Sequence, residues 1–255
     1  MNMQTRIPSA DATPIFKDTQ MPHMSLKQCA TCEMHKVCLA KIVGDDSKEA
    51  LSAFIKHHKP VHKGDHIYRQ NDDFVSLYVV RSGAVKTYYI TEKGDENITG
   101  LYLPGELFGI DGLVNEKHKY AAQALDTSAV CEFIYSNLEL SFLSHPDIQR
   151  RLMEIVSSEI YDRQQALTQH KNSAEERLAT FLTSVSDRME LRGLSPIEIN
   201  LPMSRRDIAT YLGVAGETMS RLFTRFQNKG LLSITGRSVF INDLPALQDM
   251  SVTIH

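Results

Sequence analysis

Apolar residues change their spacing three times along the chain. Over 45–58 (DDSKEALSAFIKHH), Ala50, Leu51, Phe54 and Ile55 form one stripe behind an acidic start, which predicts a short amphipathic helix. From Pro60 to about Tyr135, runs rich in Val, Ile, Tyr and Phe alternate with turn signals: KGD at 63–65, RSG at 81–83, KGD at 93–95, PGE at 104–106 and DG at 111–112. SLYVVRSGAVKTYYI reads as strand, turn, strand, and the whole stretch predicts an antiparallel jelly roll. After Tyr135 helical spacing returns. Pro146 suits a helix start, and DIQRRLMEIVSSEIYDRQQALTQH then runs on without Gly or Pro. Ile148, Leu152, Ile155, Asp162 and Ala166 keep near-heptad spacing along one side, interrupted by Glu159. So narrow a seam needs a partner, most simply a second copy, and these six positions are the expected dimer interface.

AEERLATFLTSVSDRMELRG predicts another amphipathic helix ending at Gly193, and SPIEINLP a strand-like connector. In MSRRDIATYLGVAGETMSRLFTRFQNKG (203–230), Ser204 and Asp207 form a capping-box pair, and Ile208, Ala209 and Leu212 face inward. Gly213 turns the chain into a second helix whose inner stripe is Met219, Leu222, Phe223 and Phe226. Its outer stripe is Glu217, Ser220, Arg221, Thr224 and Arg225. LLSI, TGR and SVFI then predict a hairpin, so the C-terminal part reads as a winged helix-turn-helix.

The predicted fold is therefore α+β. It divides into a flexible segment (1–28), a cysteine loop (29–44), a sensory β-roll of the cyclic-nucleotide-binding kind (45–137), a dimerisation helix (138–170) and a winged helix-turn-helix domain (171–255).

A net charge of −3 over 255 residues gives no hint of a nucleic-acid partner, but the charge is unevenly placed. Residues 201–230 hold five basic and two acidic side chains, a local +3. Arg on the outer stripe can bond guanine in a bidentate manner, Glu can accept from cytosine, and Ser can do either. Arg205, Arg206 and Lys229 flank the stripe and suit phosphates. With no apolar run of membrane length and no secretory leader in the N-terminal segment, the expected compartment is the cytoplasm. No Gly-rich dinucleotide motif and no nucleophile with a matched base supports an enzyme, and His57, His58, His62 and His66 read as a solvated rim.

Of the four cysteines, three lie in CATCEMHKVC (29–38), spaced C-x2-C-x5-C, and the fourth is Cys131 in the strand-like TSAVCEFI. In a reducing compartment such thiolates point to metal or redox chemistry rather than disulfides. Two four-ligand centres fit: an iron–sulfur cluster on Cys29, Cys32, Cys38 and Cys131, or zinc on the first three with His35 or His23.

The order of cysteine loop, β-roll, long helix and helix-turn-helix resembles the Crp/Fnr transcription regulators, and within them the oxygen-responsive Fnr branch. TEKGDENITG (91–100), AEERLA (174–179) and ETMSRL (217–222) carry the likeness with the four cysteines. The resemblance implies a [4Fe–4S] cluster on Cys29, Cys32, Cys38 and Cys131, and a dimer that weakens and releases DNA when oxygen degrades it. It implies that Glu217, Ser220 and Arg221 read a palindrome related to TTGAT–four bases–ATCAA, with Gly216 standing where Fnr proteins often carry Val. It places at Asp162 an acid that opposes pairing when the cluster is lost, and a contact with RNA polymerase around Thr91, Gly94 and Asp95. Cyclic-nucleotide relatives follow their Gly-Glu turn with an Arg-Ser pair. Here Gly105–Glu106 is present, but the matching region reads KHKYAAQA (117–124) and holds no Arg-Ser pair, so no cyclic nucleotide is expected.

Overall fold

The structure is a computed structural model and describes residues 32–41, 43–168 and 172–251, without the side chains of residues 35 and 165–168. Segment 1–28, Cys29 and the side chains of His35 and Ala166 lie outside the described residues. Helix α1 (Asp45–Phe54) precedes eight strands: β1 (Ile55–His57), β2 (His66–Tyr68), β3 (Ser76–Ser82), β4 (Val85–Ile90), β5 (Glu96–Tyr102), β6 (Leu107–Phe108), β7 (Ala121–Ala124) and β8 (Ala129–Ile134). They make two antiparallel sheets, ordered β1-β8-β3-β6 and β2-β7-β4-β5. Tyr68, Tyr78, Tyr102 and Phe108 pack between them with Val80, Val85 and Val130. The predicted roll is thus present.

The helix expected over 45–58 ends at Phe54. Ile55 and His57 pair instead with Phe133 and Cys131 of β8, because a β-branched residue beside an open strand edge gains more from the ladder than from another helical turn.

A short helix α2 (Tyr135–Ser141) follows the roll, and the long helix α3 (Pro146–Thr168) starts anew at the proline. The expected start of the dimerisation helix at 138 falls inside α2. Two positions of the expected seam need correction. Ile148 and Leu152 are 0% and 1% exposed and pack in their own chain's core against Leu39, Val43, Leu51 and Leu138, with Ile155 beside them. The outward apolar side chains of α3 are Met153, Ile160 and Tyr161, each about half exposed (52%, 52% and 53%). Glu159 is drawn toward the roll, where it accepts from the Tyr102 hydroxyl (3.3 Å) and pairs with Arg163 (2.6 Å). Asp162 is exposed, and burial followed by the Glu159 charge holds its carboxyl above its ordinary range.

The C-terminal part comprises α4 (Ala174–Glu190), β9 (Glu198–Asn200), α5 (Arg205–Tyr211), α6 (Gly216–Asn228), β10 (Leu232–Thr235), β11 (Ser238–Ile241) and α7 (Leu244–Met250). The wing forms as expected, with β9 added to its edge in the order β10-β11-β9. The pattern did not reveal α7; it is short, begun by Asp243 accepting from Ala246 N–H (3.0 Å), and held by buried Leu247. One apolar core runs across both parts of the chain: Tyr88, Ile98, Leu101 and Leu103 of the roll join Leu178, Leu182, Ile208 and Phe226.

Candidate cysteine site and nucleic-acid interface

Cys32 precedes a 3-10 turn over Glu33–Lys36, and the chain folds back so that Cys38 N–H donates to Met34 O (3.0 Å) and Ala40 N–H to Cys38 Sγ (3.3 Å). Cys131 sits in mid-β8, registered with His57 on one side and Val79 on the other. Cys32, Cys38 and Cys131 line one apolar pocket, together with Leu51, Val79 and Phe133. The sequence sets Cys131 far from Cys32 and Cys38; the fold brings all three to the lining of one apolar pocket. Soft thiolates in such a space suit an iron–sulfur cluster, whose sulfide-rich surface asks little hydration. Among the described residues no three His, Cys, Asp or Glu side chains make a ready metal group. The expected fourth ligand, Cys29, lies outside them, as do His23 and the His35 side chain.

The loop is stitched to α3 at three places. Leu39 and Val43 bury against Ile148 and Leu152. Arg151 donates from Nη2 to Val37 O (3.4 Å). Asp147 accepts from Gly44 N–H (2.9 Å) and Ser47 Oγ–H (2.8 Å), which hold its carboxyl below the usual carboxylate value even though burial acts the other way. The loop also leans on the roll at Gly105 (φ +90°), where an added Cβ would strike the Val37 side chain. Two of the histidines expected on a wet rim are engaged: His58 with Glu132, and His66 with the Tyr88 hydroxyl at 2.7 Å. Burial would raise the Glu132 carboxyl, but bonds from His58 and Ser76 hold it down.

In the C-terminal part, the Ser204–Asp207 capping box starts α5 as expected. Gly213 (φ +62°) makes the turn to α6, and Arg177 seals it by donating to Leu212 O (2.6 Å). Met219, Leu222, Phe223 and Phe226 are buried, so Glu217, Ser220, Arg221, Thr224 and Arg225 face outward together. Arg206 is exposed beside them. Arg205 is not available in the same way: its guanidinium lies 3.3 Å from the Phe223 ring centre, half-buried as part of the α5–α6 packing. Arg225 and Lys229 converge on Glu175 at the start of α4, a partner sequence reasoning missed although AEERLA stood out. Thr91, Gly94 and Asp95 form an exposed tight turn between β4 and β5, closed by Gly94 N–H to Thr91 O (2.9 Å) and by Asp95 N–H to Thr91 Oγ1 (3.1 Å).

Comparison with known proteins agrees with this layout. Residues 58–140 match the cyclic nucleotide-binding domain model and residues 176–250 the Crp-like helix-turn-helix domain model. The transcriptional activator protein Anr of Pseudomonas protegens is 43% identical over 216 residues, 84% of this chain and 88% of its own length. The chain belongs to the Crp/Fnr family. The fumarate and nitrate reduction regulatory protein of Escherichia coli, another relative, is 39% identical over 224 residues, 88% of this chain and 90% of its own. The solved structure of FixK2 from Bradyrhizobium japonicum superposes with a TM-score of 0.72 at 27% identity, covering 79% of this chain and 99% of that one. As a Crp/Fnr regulator, the chain binds DNA through its helix-turn-helix domain and controls transcription. Among the described residues no helix is long and apolar enough to cross a membrane.

Proposed function

We propose that this Crp/Fnr regulator responds to oxygen through a [4Fe–4S] cluster held by Cys29, Cys32, Cys38 and Cys131, in the cytoplasm, and controls genes of anaerobic growth. The supporting observation is the shared apolar cavity of Cys32, Cys38 and Cys131, in a chain 39–44% identical to regulators named Anr, FnrA, and fumarate and nitrate reduction regulatory protein. When bound, the cluster supplies a centre that oxygen attacks.

The chain's own residues then carry the signal. An ordered loop packs Leu39 and Val43 on Ile148 and Leu152 and lets Asp147 and Arg151 grip its backbone. That steadies the first turns of α3 and, further along, the outward face of Met153, Ile160 and Tyr161, on which a second copy seats. Pairing puts two α6 helices about 34 Å apart, one DNA turn, on a palindromic site. Because both half-sites are bound through one dimer, a modest shift in pairing becomes a large shift in occupancy. Glu217, Ser220 and Arg221 read bases, Thr224, Arg225 and Arg206 follow the backbone, and the Thr91–Asp95 turn meets RNA polymerase. The roll is read as taking no cyclic nucleotide because KHKYAAQA lacks an Arg-Ser pair; Glu106 is bonded instead to Arg188 and Arg192.

The test is purification without oxygen. Brown protein with iron and sulfide, bleaching in air together with its affinity for the palindrome, is expected, and Cys131→Ser should lose both colour and dimer. Colourless protein with one zinc per chain would overturn the reading.

A further inference from the structure

Two cations at the end of the recognition helix share one carboxylate from another element. Glu175 stands in the first turn of α4, placed by the capping box of Ser173 with Glu176. Its Oε1 pairs with Arg225 Nη1 and its Oε2 lies 3.2 Å from Lys229 Nζ. Arg225 belongs to the outward stripe of α6, and Lys229 follows one turn later at i+4. Both cations remain about half exposed while the carboxylate is three-quarters covered, so the cations stay open to solvent. Glu175 keeps its charge, since the bonds from Arg225 and then Lys229 hold its carboxyl below the usual range.

We infer that Glu175 limits DNA affinity by competing with backbone phosphates for Arg225 and Lys229. A phosphate that engages either cation must displace a carboxylate already bonded to it. Non-specific binding, which rests almost wholly on phosphate contacts, is weakened by that competition. Binding to the cognate site makes the same phosphate contacts besides the base contacts of Glu217, Ser220 and Arg221, so the competition weakens it by a similar factor. Glu175 therefore sets how tightly, and with how steep a salt dependence, the helix-turn-helix holds any duplex. This rests on α6 facing the duplex.

The experiment measures the whole chain, as a dimer, on a random-sequence duplex and on the palindrome across a salt series. Glu175→Gln should bind random duplex about 3- to 10-fold tighter at low salt, with the slope of log K against log salt steeper by about one. Its gain on the palindrome should be of similar size, so the specificity ratio stays nearly constant. Glu175→Asp keeps an acid in the first turn for the α4 dipole but is too short to hold both cations, and should shift the same way by less. If E175Q fails to fold, E175D alone decides. Folded variants with unchanged or weaker random-duplex affinity and an unchanged slope would overturn the inference. Wild-type chain that binds neither duplex would instead sink the placement of α6 on DNA.

Discussion

The carboxylate of Glu106, on the turn between β5 and β6, is held by Arg188 of α4: Arg188 Nε donates to Glu106 Oε1 at 2.8 Å, and its Nη2 reaches Oε2. Arg192 adds a bond to Oε1 at 2.6 Å and Leu103 N–H one to Oε2 at 2.9 Å. The same arginines bond the carbonyls of Leu101 and Pro104. With Lys86 of β4 reaching Asp207 of α5 (3.1 Å), this cluster docks the helix-turn-helix domain on the roll of its own chain. The recognition helix, packed on α5, is thereby held in place relative to the roll.

Burial would raise the Glu106 carboxyl, but Arg188, then Arg192 and the Leu103 amide, hold it below its ordinary 4.5. A depressed carboxylate pKa stabilises the fold fully above the unfolded value and ceases to do so as pH falls through the folded one. Glu106→Gln should cost about 2 kcal/mol at neutral pH, since it leaves two arginines short of a partner. Its melting temperature should also fall less steeply than the wild type's below pH 4.5. Parallel acid profiles for the two proteins would show that the cluster does not hold the domains.

The two sides of α3 should separate stability from pairing. Leu152→Ala empties a core position and should cost about 2–4 kcal/mol in denaturant unfolding. Met153→Ala changes an exposed neighbour and should stay within about 0.5 kcal/mol. Ile160→Asp should weaken self-association at least tenfold, about 1.4 kcal/mol, in sedimentation experiments. Equal pairing by Ile160→Asp and wild type would move the interface elsewhere.

Gly105→Ala meets two penalties at once: a positive φ that an L side chain resists, and a Cβ driven into Val37 beside Cys38. A loss of about 2–3 kcal/mol is expected, with iron retention after anaerobic reconstitution falling in parallel. Full iron loading in this variant would show that the loop does not depend on the turn.

The arginines of the helix-turn-helix should divide by direction. Arg221 is exposed on the readout stripe, and Arg221→Ala should lose about 1–3 kcal/mol on the palindrome and little on random DNA. Arg205 lies on the Phe223 ring, and Arg205→Ala should lower the melting temperature while sparing the ratio of specific to non-specific affinity. Gel-shift and thermal melts together read both.

By itself, the sequence determined what local rules control. Alternation with glycine turns specified the roll, the Ser204–Asp207 box and Gly213 specified the helix-turn-helix, and the outward stripe of α6 followed from its 3.6-residue period. Periodicity cannot say which of two apolar faces on one helix turns inward. Ile148 and Leu152 looked like a seam until the packing of Leu39 and Leu51 claimed them, leaving Met153 and Ile160 outside. Nor can spacing announce partners from distant segments. Glu106 with Arg188, Lys86 with Asp207, Glu175 with Arg225, and the approach of Cys131 to Cys32 and Cys38 all pair groups far apart in the chain. Such relationships arise only when the folded backbone brings opposite charges within a few ångströms or sets distant thiols around one pocket, and that placement is a property of the tertiary structure alone.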